Sequence, residues 1–399
     1  MSDQRFMLLS GDSRALLPAL PDNSADSIVC DPPYELSFMG RSWDNSGIAY
    51  DPQMWAECLR VLKPGGYLLA FGGTRTCHRM VCAIEDAGFD IRDQMVWIYG
   101  SGMPKASLWS SEKAHRGDRS SQRMVEAGFE GWARGGLKPA HEPICIARKA
   151  PIGNIETNVL HWGTGALHVD ACRVHGPDAL GGHYVTKRFA AGASVDQTGR
   201  WNSAREYEGD MQTGRWPANV LHDGSDAALG IFPDAPGQKA DVNGNEPSSA
   251  TGTVYNPTQR KGFRRRTGEA SATRRYDKSG AINFAALPGE RRFDDGSAAR
   301  FFYCAKASPR DRSEGLESGE RNPHPCVKPT ELMAHLCRLV TPPNGLVLDP
   351  FMGSGSTGKA AILEGFRFLG MDLDPHHVDI AHKRIEHVAR LRSLDLKVA

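Results

Sequence analysis

Blocks of alternating strands and helices at the two ends of the chain constrain its fold more than any other feature. From Arg5 to Gly100 short apolar runs, typical of strands, alternate with helical stretches, and HEPICIARK at 141–149 adds one more strand. The same alternation of strands and helices returns from Thr330. Strands separated by single helices form right-handed crossovers, which produce a mostly parallel sheet. Each block is too short for a complete doubly wound sheet. We therefore predict an α/β fold in which one sheet is assembled from both ends of the chain.

The middle of the chain has a different composition. Residues 151–299 are rich in Gly, Ser, Asn, Asp and Arg and contain few periodic apolar runs. This change predicts an irregular inserted domain at 151–299 and a main domain made of 1–150 and 300–399. A strongly basic segment with interleaved aromatic residues lies inside the insertion, and its arginines are candidates for contacts to phosphates. These arginines are Arg264, Arg265, Arg266, Arg274 and Arg275.

Composition narrows the class of protein. The 399 residues carry a formal net charge of only +1, so the charge of the whole chain does not indicate a polyanionic partner. No apolar run is long enough for a signal peptide or a membrane span, and we expect a cytoplasmic protein without a membrane partner. The nine cysteines are scattered and never spaced C-x-x-C, and the histidines near the C-terminus lack the spacing of paired ligands. We predict neither a disulfide framework nor a metal site.

The segment DPFMGSGSTGKA, 349–360, comes within one residue of the phosphate-binding pattern G-x-x-x-x-G-K-[ST]. A phosphate loop needs a hydroxyl after the lysine to bind magnesium, and this chain has Ala360 there. The carboxylate of Asp349 beside the loop would also repel phosphate. Glycines at a strand–helix turn equally allow close approach of an adenosine-bearing cofactor, and Asp372, on the next predicted strand, is suited to ribose hydroxyls. We therefore predict an adenosine site without phosphates. S-adenosylmethionine fits it, because its sulfonium is positive.

A second motif, Asp31-Pro32-Pro33-Tyr34, ends another predicted strand. The prolines remove two backbone donors and stiffen the turn, so the Asp31 carboxylate and the Pro32 carbonyl present acceptors in fixed directions. An exocyclic amine is a poor nucleophile because its lone pair is delocalised into the base. Acceptors for its hydrogens favour a lone pair that points at a methyl donor. Tyr34 offers a ring on which a flipped-out base can stack, although the tetrapeptide alone is also compatible with a rigid turn.

DPPY followed by DPFMGSGST resembles the DNA amino-methyltransferases, and the order of the two motifs resembles the β group of that family. The resemblance implies a Rossmann-like sheet, S-adenosylmethionine as cofactor, double-stranded DNA as substrate and target recognition by the insertion. HPCVKPTELM, 324–333, resembles the family segment HPTxKP, with Cys326 in place of the usual Thr. Phrases such as GRWPANV and FFYCAKAS also resemble methylases of phages and mobile elements. By resemblance, the cofactor-binding residues are Ser10, Asp12, Asp31, Lys328, Asp349, Phe351, Gly353, Ser354, Gly355, Thr357 and Asp372.

Adenine N6 is the predicted target, because a leading Asp in the tetrapeptide resembles the adenine enzymes. Cytosine N4 stays an alternative, since its amine needs the same acceptors. Cytosine C5 chemistry needs a Pro-Cys nucleophile, and Pro325-Cys326 lies instead in the lysine-proline segment. Methylation of RNA or of protein glutamine would need no large basic insertion, and a catalytically inactive DNA-binding protein is an alternative from another class.

The resemblance also bears on partners. The β group implies a homodimer, and a DNA substrate implies a nucleoid-associated enzyme. The chain contains no endonuclease motif, which predicts that it does not cleave DNA itself, and it does not identify a cognate endonuclease.

Overall fold

The structure is a computed structural model that describes residues 5–37, 42–102, 107–133, 135–180, 183–186, 205–208, 212–234, 285–286, 296–305, 308–317 and 319–398. The chain forms two compact units. The first comprises Met1–Cys172, Ala218–Ile231 and Tyr303–Ala399, and the second comprises Arg173–Pro217 and Phe232–Phe302.

The strands and helices are numbered along the chain. The described strands are β1 (Phe6–Ser10), β2 (Ala25–Cys30), β3 (Leu62–Phe71), β4 (Asp90–Ile98), β5 (His141–Arg148), β6 (Val174–Leu180), β7 (His183–Thr186), β8 (Arg205–Glu208), β9 (Gln212–Arg215), β10 (Val220–His222), β11 (Ala285–Ala286), β12 (Tyr303–Cys304), β13 (Leu346–Asp349) and β14 (Arg367–Asp372). The described helices are α1 (Ser13–Leu16), α2 (Pro52–Val61), α3 (Cys77–Asp86), α4 (Ser111–His115), α5 (Arg119–Glu126), α6 (Ile155–Trp162), α7 (Asp226–Leu229), α8 (Pro309–Ser313), α9 (Thr330–Val340), α10 (Ser356–Glu364) and α11 (Pro375–Val398).

The first unit is built on one nine-stranded sheet with the order β1-β14-β13-β2-β3-β5-β4-β10-β12. The C-terminal strands β13 and β14 lie between β1 and β2, so the predicted assembly of one α/β sheet from both ends of the chain is confirmed. Neighbouring strands are parallel except that β5 runs antiparallel to both β3 and β4. Because of this reversal, the first residues of β5 lie at the edge where the parallel strands end.

Both faces of the central strands are buried, because successive residues on a strand belong to two different hydrophobic cores. On β3, Leu69 and Phe71 belong to one hydrophobic core, and Leu68 and Ala70 belong to the other. Helices α9, α10 and α11 pack on the first core, and α2 and α3 pack on the second. Among the described residues, no helix has the length and apolar character needed to cross a membrane.

The first unit includes two segments that the sequence assigned to the insertion. The chain after residue 150 stays with the sheet because Asn158 Nδ2 and the Thr164 hydroxyl both donate to the Pro64 carbonyl, at 2.9 and 2.6 Å. Strand β10 returns to pair with β4. The observed division therefore falls at Cys172 instead of residue 150. In the second unit, β6 pairs with β9, and β7 pairs with β8 and β11, all antiparallel.

Candidate active site

A cleft of about 2050 Å³ opens in the first unit where β2, β13 and β14 end. Pockets for single small ligands are commonly about 300–1000 Å³, so this cleft has room for two ligands of nucleoside size. Both sequence motifs line it. The predicted residues in its wall are Asp12, Asp31, Pro32, Pro33, Tyr34, Lys328, Asp349, Phe351, Gly353, Thr357 and Asp372. Ser10, Ser354 and Gly355, which the structure also describes, are not in this wall.

Asp349 ends β13 at the bottom of the glycine loop and is almost completely buried. The Phe351 N–H donates to its carboxylate at 3.0 Å, and the Thr357 hydroxyl also donates to it. Burial raises the pKa of Asp349 to about 7 despite these hydrogen bonds. A buried carboxylate of this kind is stabilised by a cationic ligand.

The glycines of the loop have different tasks. Gly353 faces the cleft with φ 51°, and an added Cβ would lie 2.9 Å from His324 Nε2. Gly355 has φ 80°, and an added Cβ would lie 2.8 Å from Ala381 Cβ on α11, so a glycine there lets α10 and α11 pack closely. The Ser354 hydroxyl accepts from Asn322 Nδ2 at 2.9 Å. Ser354 and Gly355 therefore contact the structure behind the loop.

Lys359, the residue that suggested a phosphate loop, is not in the wall of the cleft. Its side chain is 2% exposed, and its Nζ lies 2.6 Å from Asp311 Oδ1 and 2.7 Å from Glu314 Oε2. Because two carboxylates already neutralise its ammonium, Lys359 is not available to bind a phosphate. The geometry thus agrees with the prediction of an adenosine site without a phosphate role.

Asp372 ends β14, and backbone donors fix both of its carboxylate oxygens. The Gly353 N–H donates to Oδ2 and the Asp374 N–H to Oδ1, each at 2.9 Å. His377 Nδ1 lies 3.5 Å from Oδ1, and its hydrogen bond to Asp372 raises the pKa of His377. Ser10 is the register partner of Asp372 on β1.

Asp12, one of the predicted cofactor-binding residues, caps the N-terminus of α1 by accepting from the Arg14 N–H. Its carboxylate also pairs with Arg14 Nη2 at 2.6 Å, and the hydrogen bond from that side chain lowers the pKa of Asp12. Asp12 is therefore an ionised carboxylate in the wall of the cleft.

Asp31, at the end of β2, belongs to a buried cluster of charges. Lys328 Nζ donates to Asp31 Oδ2 at 2.5 Å and to the Tyr34 hydroxyl at 3.2 Å, and it lies 3.3 Å from Glu142 Oε2. The ammonium also sits over the rings of Tyr34 and Phe71, 5.3 and 4.8 Å from their centroids. Asp31 Oδ1 is buried and accepts no hydrogen bond from any described residue.

The loop that follows Asp31 is held by polar contacts from two directions. The Thr76 hydroxyl donates to the Tyr34 carbonyl at 2.7 Å. The N–H groups of Glu35 and Leu36 donate to the carboxylate of Asp44, at 3.0 and 3.1 Å. The Tyr34 ring therefore stands in the cleft on a backbone that its neighbours fix.

Sequence reasoning missed Glu142, Tyr99 and His324, which also line the cleft. The signal for Glu142 lay in HEPICIAR, but placing it at the site requires knowing that β5 is antiparallel. Tyr99 follows the end of β4, and burial raises its pKa to about 12. His324 opens the lysine-proline segment, and burial lowers its pKa to about 4.

The arginines predicted to contact DNA, Arg264, Arg265, Arg266, Arg274 and Arg275, lie outside the described residues. At the cleft itself, Arg75 and Lys138 are exposed and form no ion pair with any residue that the structure describes. Within the described ranges, no group of three or more His, Cys, Asp and Glu side chains could hold a metal ion.

Comparison with known proteins gives a family and several partial relatives. A family model for N6 and N4 methyltransferases, described as DNA methylase, matches residues 25–383. The type II methyltransferase M.HindIII of Haemophilus influenzae is 30% identical over 117 residues, which are 29% of this chain and 33% of that protein. The type II methyltransferase M2.DpnII of Streptococcus pneumoniae is 41% identical over 63 residues, 16% of this chain and 24% of the relative. The chain thus spans a third or less of the length of these two relatives.

Among solved structures, the cytosine-N4-specific PvuII DNA methyltransferase aligns with a TM-score of 0.42 and 13% identity, over 97% of this chain and 91% of that one. The complex of M1.HpyAVI with S-adenosylmethionine aligns with a TM-score of 0.40 and 15% identity, over 95% and 98% of the two chains.

Proposed function

This chain belongs to the N6 and N4 family of DNA methylases, and from that premise we propose that it transfers a methyl group from S-adenosylmethionine to adenine N6 of a base flipped out of double-stranded DNA. One observation supports transfer to an exocyclic amine, and the choice of adenine rests on the leading Asp of the tetrapeptide. The DPPY tetrapeptide and the glycine loop, which are more than 300 residues apart in the sequence, line a single cleft. The first presents acceptors for an amine, and the second presents carboxylates suited to an adenosine cofactor.

The residues of the glycine loop fit S-adenosylmethionine. Asp349 is a buried carboxylate next to Phe351, whose ring lines the cleft and would contact the adenine. Asp372, which two backbone donors hold in place, would accept from the ribose hydroxyls. Gly353 has no side chain, which allows His324 to approach the loop closely. When bound, the cofactor supplies an electrophilic methyl group and a positive charge that Asp349 stabilises.

Asp31 acts on the nucleophile. Its Oδ1 is the buried acceptor without a partner among the described residues, while Lys328 holds Oδ2. Oδ1 accepts a hydrogen of the amino group, which turns the nitrogen lone pair out of the ring and toward the methyl group. In the transfer the new N–C bond would replace the S–C bond of the sulfonium, which would leave as a neutral thioether. The nitrogen would lose one proton, and Asp31 is the base that faces it. Tyr34 stacks on the flipped base.

Nucleoside mass spectrometry tests the proposal. Purified protein is incubated with unmethylated duplex DNA and labelled S-adenosylmethionine, and the digested DNA is analysed. N6-methyladenine supports the proposal, whereas N4-methylcytosine keeps the mechanism and changes the base. Tight cofactor binding without any methylated base would favour an inactive DNA-binding protein.

Asp31→Ala separates chemistry from binding. We expect it to keep the affinity for S-adenosylmethionine within about threefold and to lower the rate of transfer by about 10²–10⁴, the usual contribution of a positioned base. Glu57→Ala, a substitution on α2 outside the cleft wall, is the control. Near-normal turnover of Asp31→Ala would refute the mechanism.

Contacts to the DNA backbone are proposed at the rim of the cleft as well as in the basic insertion. Arg75 and Lys138 are exposed cations that could meet the phosphates beside a flipped nucleotide. The double variant Arg75→Ala/Lys138→Ala should reduce the slope of log K against log salt by about 1–2, since each phosphate contact contributes about 0.9. Cofactor affinity should not change. An unaltered salt slope would show that these two residues do not touch phosphates.

A further inference from the structure

Glu142 is a buried carboxylate in the cleft that has no role in the proposed action of Asp31 and Tyr34. It is the second residue of β5, its side chain is 18% exposed, and its Oε2 lies 3.3 Å from Lys328 Nζ. Oε2 is buried and has no hydrogen-bond partner among the described residues. It approaches the lysine as an ion-pair partner without making a hydrogen bond. Burying a carboxylate costs free energy, so the position of Glu142 beside the lysine needs an explanation.

Lys328 creates a difficulty for the proposed base. Its ammonium lies 2.5 Å from Asp31 Oδ2 inside a buried site, where charges interact more strongly than in water. A cation at this distance stabilises the ionised carboxylate and weakens it as an acceptor of further hydrogens. If Asp31 were the only anion beside Lys328, the lysine would neutralise the group that has to act on the amine.

We propose that Glu142 is a positioning residue for methyl transfer, which shares the Lys328 ammonium with Asp31 and so leaves Asp31 able to accept a hydrogen from the target amine. The inference rests on the proposed function, since it assigns a task in that reaction. Three observations support it: the ammonium lies within 3.3 Å of both carboxylates, it donates a hydrogen bond to Asp31 Oδ2 and none to Glu142, and Asp31 Oδ1 has no hydrogen-bond partner among the described residues. With Glu142 in place, the cluster of one cation and two anions keeps a net negative charge.

The charges around Asp31 change its pKa in the direction that the proposal requires. Burial is the largest influence and raises the pKa of Asp31 above its ordinary value. The charge of Lys328 and hydrogen bonds with Lys328 and Tyr34 lower this pKa, and the charge of Glu142 raises it. The other titratable groups that face the cluster are Tyr34, Tyr99, Cys30, Cys326, His324 and Asp349. Burial raises the pKa of both tyrosines, which keeps them neutral during the reaction. Removal of the Glu142 charge should therefore move the titration of Asp31 to lower pH.

The test compares Glu142→Gln, which keeps the size of the side chain and removes its charge, with Glu142→Asp, which keeps the charge. Glu364→Gln is a matched control, because Glu364 is also 18% exposed and pairs with Arg338 at 2.5 Å, but lies outside the cleft wall. Two quantities are measured in each protein. One is the pH dependence of single-turnover methyl transfer, and the other is the ¹³C NMR titration of the Asp31 carboxyl without cofactor or DNA, assigned with Asp31→Asn.

For Glu142→Gln we expect a rate at the plateau about tenfold lower, less than the loss of the base itself. We also expect an acid limb and an Asp31 titration displaced to lower pH, with an unchanged dissociation constant for S-adenosylmethionine. Glu142→Asp should restore most of the rate, and Glu364→Gln should match the wild type. A lower rate with both titrations unmoved would mean that Glu142 has only a structural role and would overturn the inference.

Two further outcomes distinguish a failure of the proposed function from a failure of the role proposed for Glu142. If the wild type transfers no methyl group but the NMR titration moves as expected, the proposed function fails and the sharing of Lys328 stands. The wild type alone also tests the inference, in case Glu142→Gln does not fold. Its Glu142 carboxyl has to be ionised throughout the pH range of transfer, and a protonated Glu142 at the pH of maximal rate would contradict the proposal.

Discussion

Replacement of Lys359 by methionine distinguishes the two interpretations of the glycine motif. If the lysine served a phosphate, the variant would lose a ligand and keep its stability. In the structure the side chain is 2% exposed and paired with Asp311 and Glu314. We therefore expect Lys359→Met to lower the free energy of unfolding and to leave the affinity for S-adenosylmethionine within about twofold.

The contacts set the size of the expected loss. Removing one partner of a fully buried ion pair costs about 3–5 kcal/mol. Here the carboxylates are 19% and 30% exposed, and Asp311 keeps hydrogen bonds from the N–H and hydroxyl of Thr330, at 2.8 and 2.6 Å. We therefore expect a loss of about 2–3 kcal/mol, below the fully buried case. Lys383→Met is the control, because Lys383 is 35% exposed and its carboxylate partners are 3.4 and 3.6 Å away. That change should cost less than about 1 kcal/mol.

The pH dependence provides a second check. Burial raises the pKa of Asp311, but hydrogen bonds from Lys359 and Thr330 lower it by more, so the folded pKa is below the ordinary value. A lowered carboxylate pKa contributes stability that is present above the unfolded value and is lost as pH falls through the folded value. In urea denaturation the gap between wild type and Lys359→Met should be full at pH 7 and shrink below about pH 4. An unchanged stability at pH 7 combined with weaker cofactor binding would refute this account.

Two other substitutions test the cleft. Asp372→Ala should raise the dissociation constant for S-adenosylmethionine about 10–100-fold in calorimetry, since a hydrogen bond to a charged group is worth about 1.5–3 kcal/mol. The control is Asp379→Ala, on the exposed side of α11. Equal affinities of the two variants would exclude Asp372 from the cofactor site. Cys326→Ser should keep transfer within about threefold, because amine methylation needs no thiolate; a complete loss accompanied by a covalent complex of the wild type with DNA would favour C5 chemistry instead.

The sequence predicted the elements that local periodicity and short motifs encode. The strand predicted to end at Asp31 is β2, and the strand–helix turn predicted at the glycines lies between β13 and α10. Pairing between strands that are far apart in the sequence was harder to predict. Strand β10 has only three residues, too few for a periodic signal, and the division at Cys172 depends on side-chain contacts from Asn158. The insertion boundary at residue 150 was placed by composition, which is insensitive to such contacts.

Glu142 shows why part of the site could not be predicted from motifs. Its position depends on the direction of β5: had that strand been parallel to its neighbours, residue 142 would lie at the opposite edge of the sheet. The charge around Asp31 is thus set by three elements, β2, β5 and the segment before α9, and its lysine comes from 297 residues further along the chain. The proposed base can have this environment only when the described sheet has assembled, including the reversed strand β5. Fragments that keep either motif alone should therefore bind a ligand at most, and transfer should require both ends of the chain.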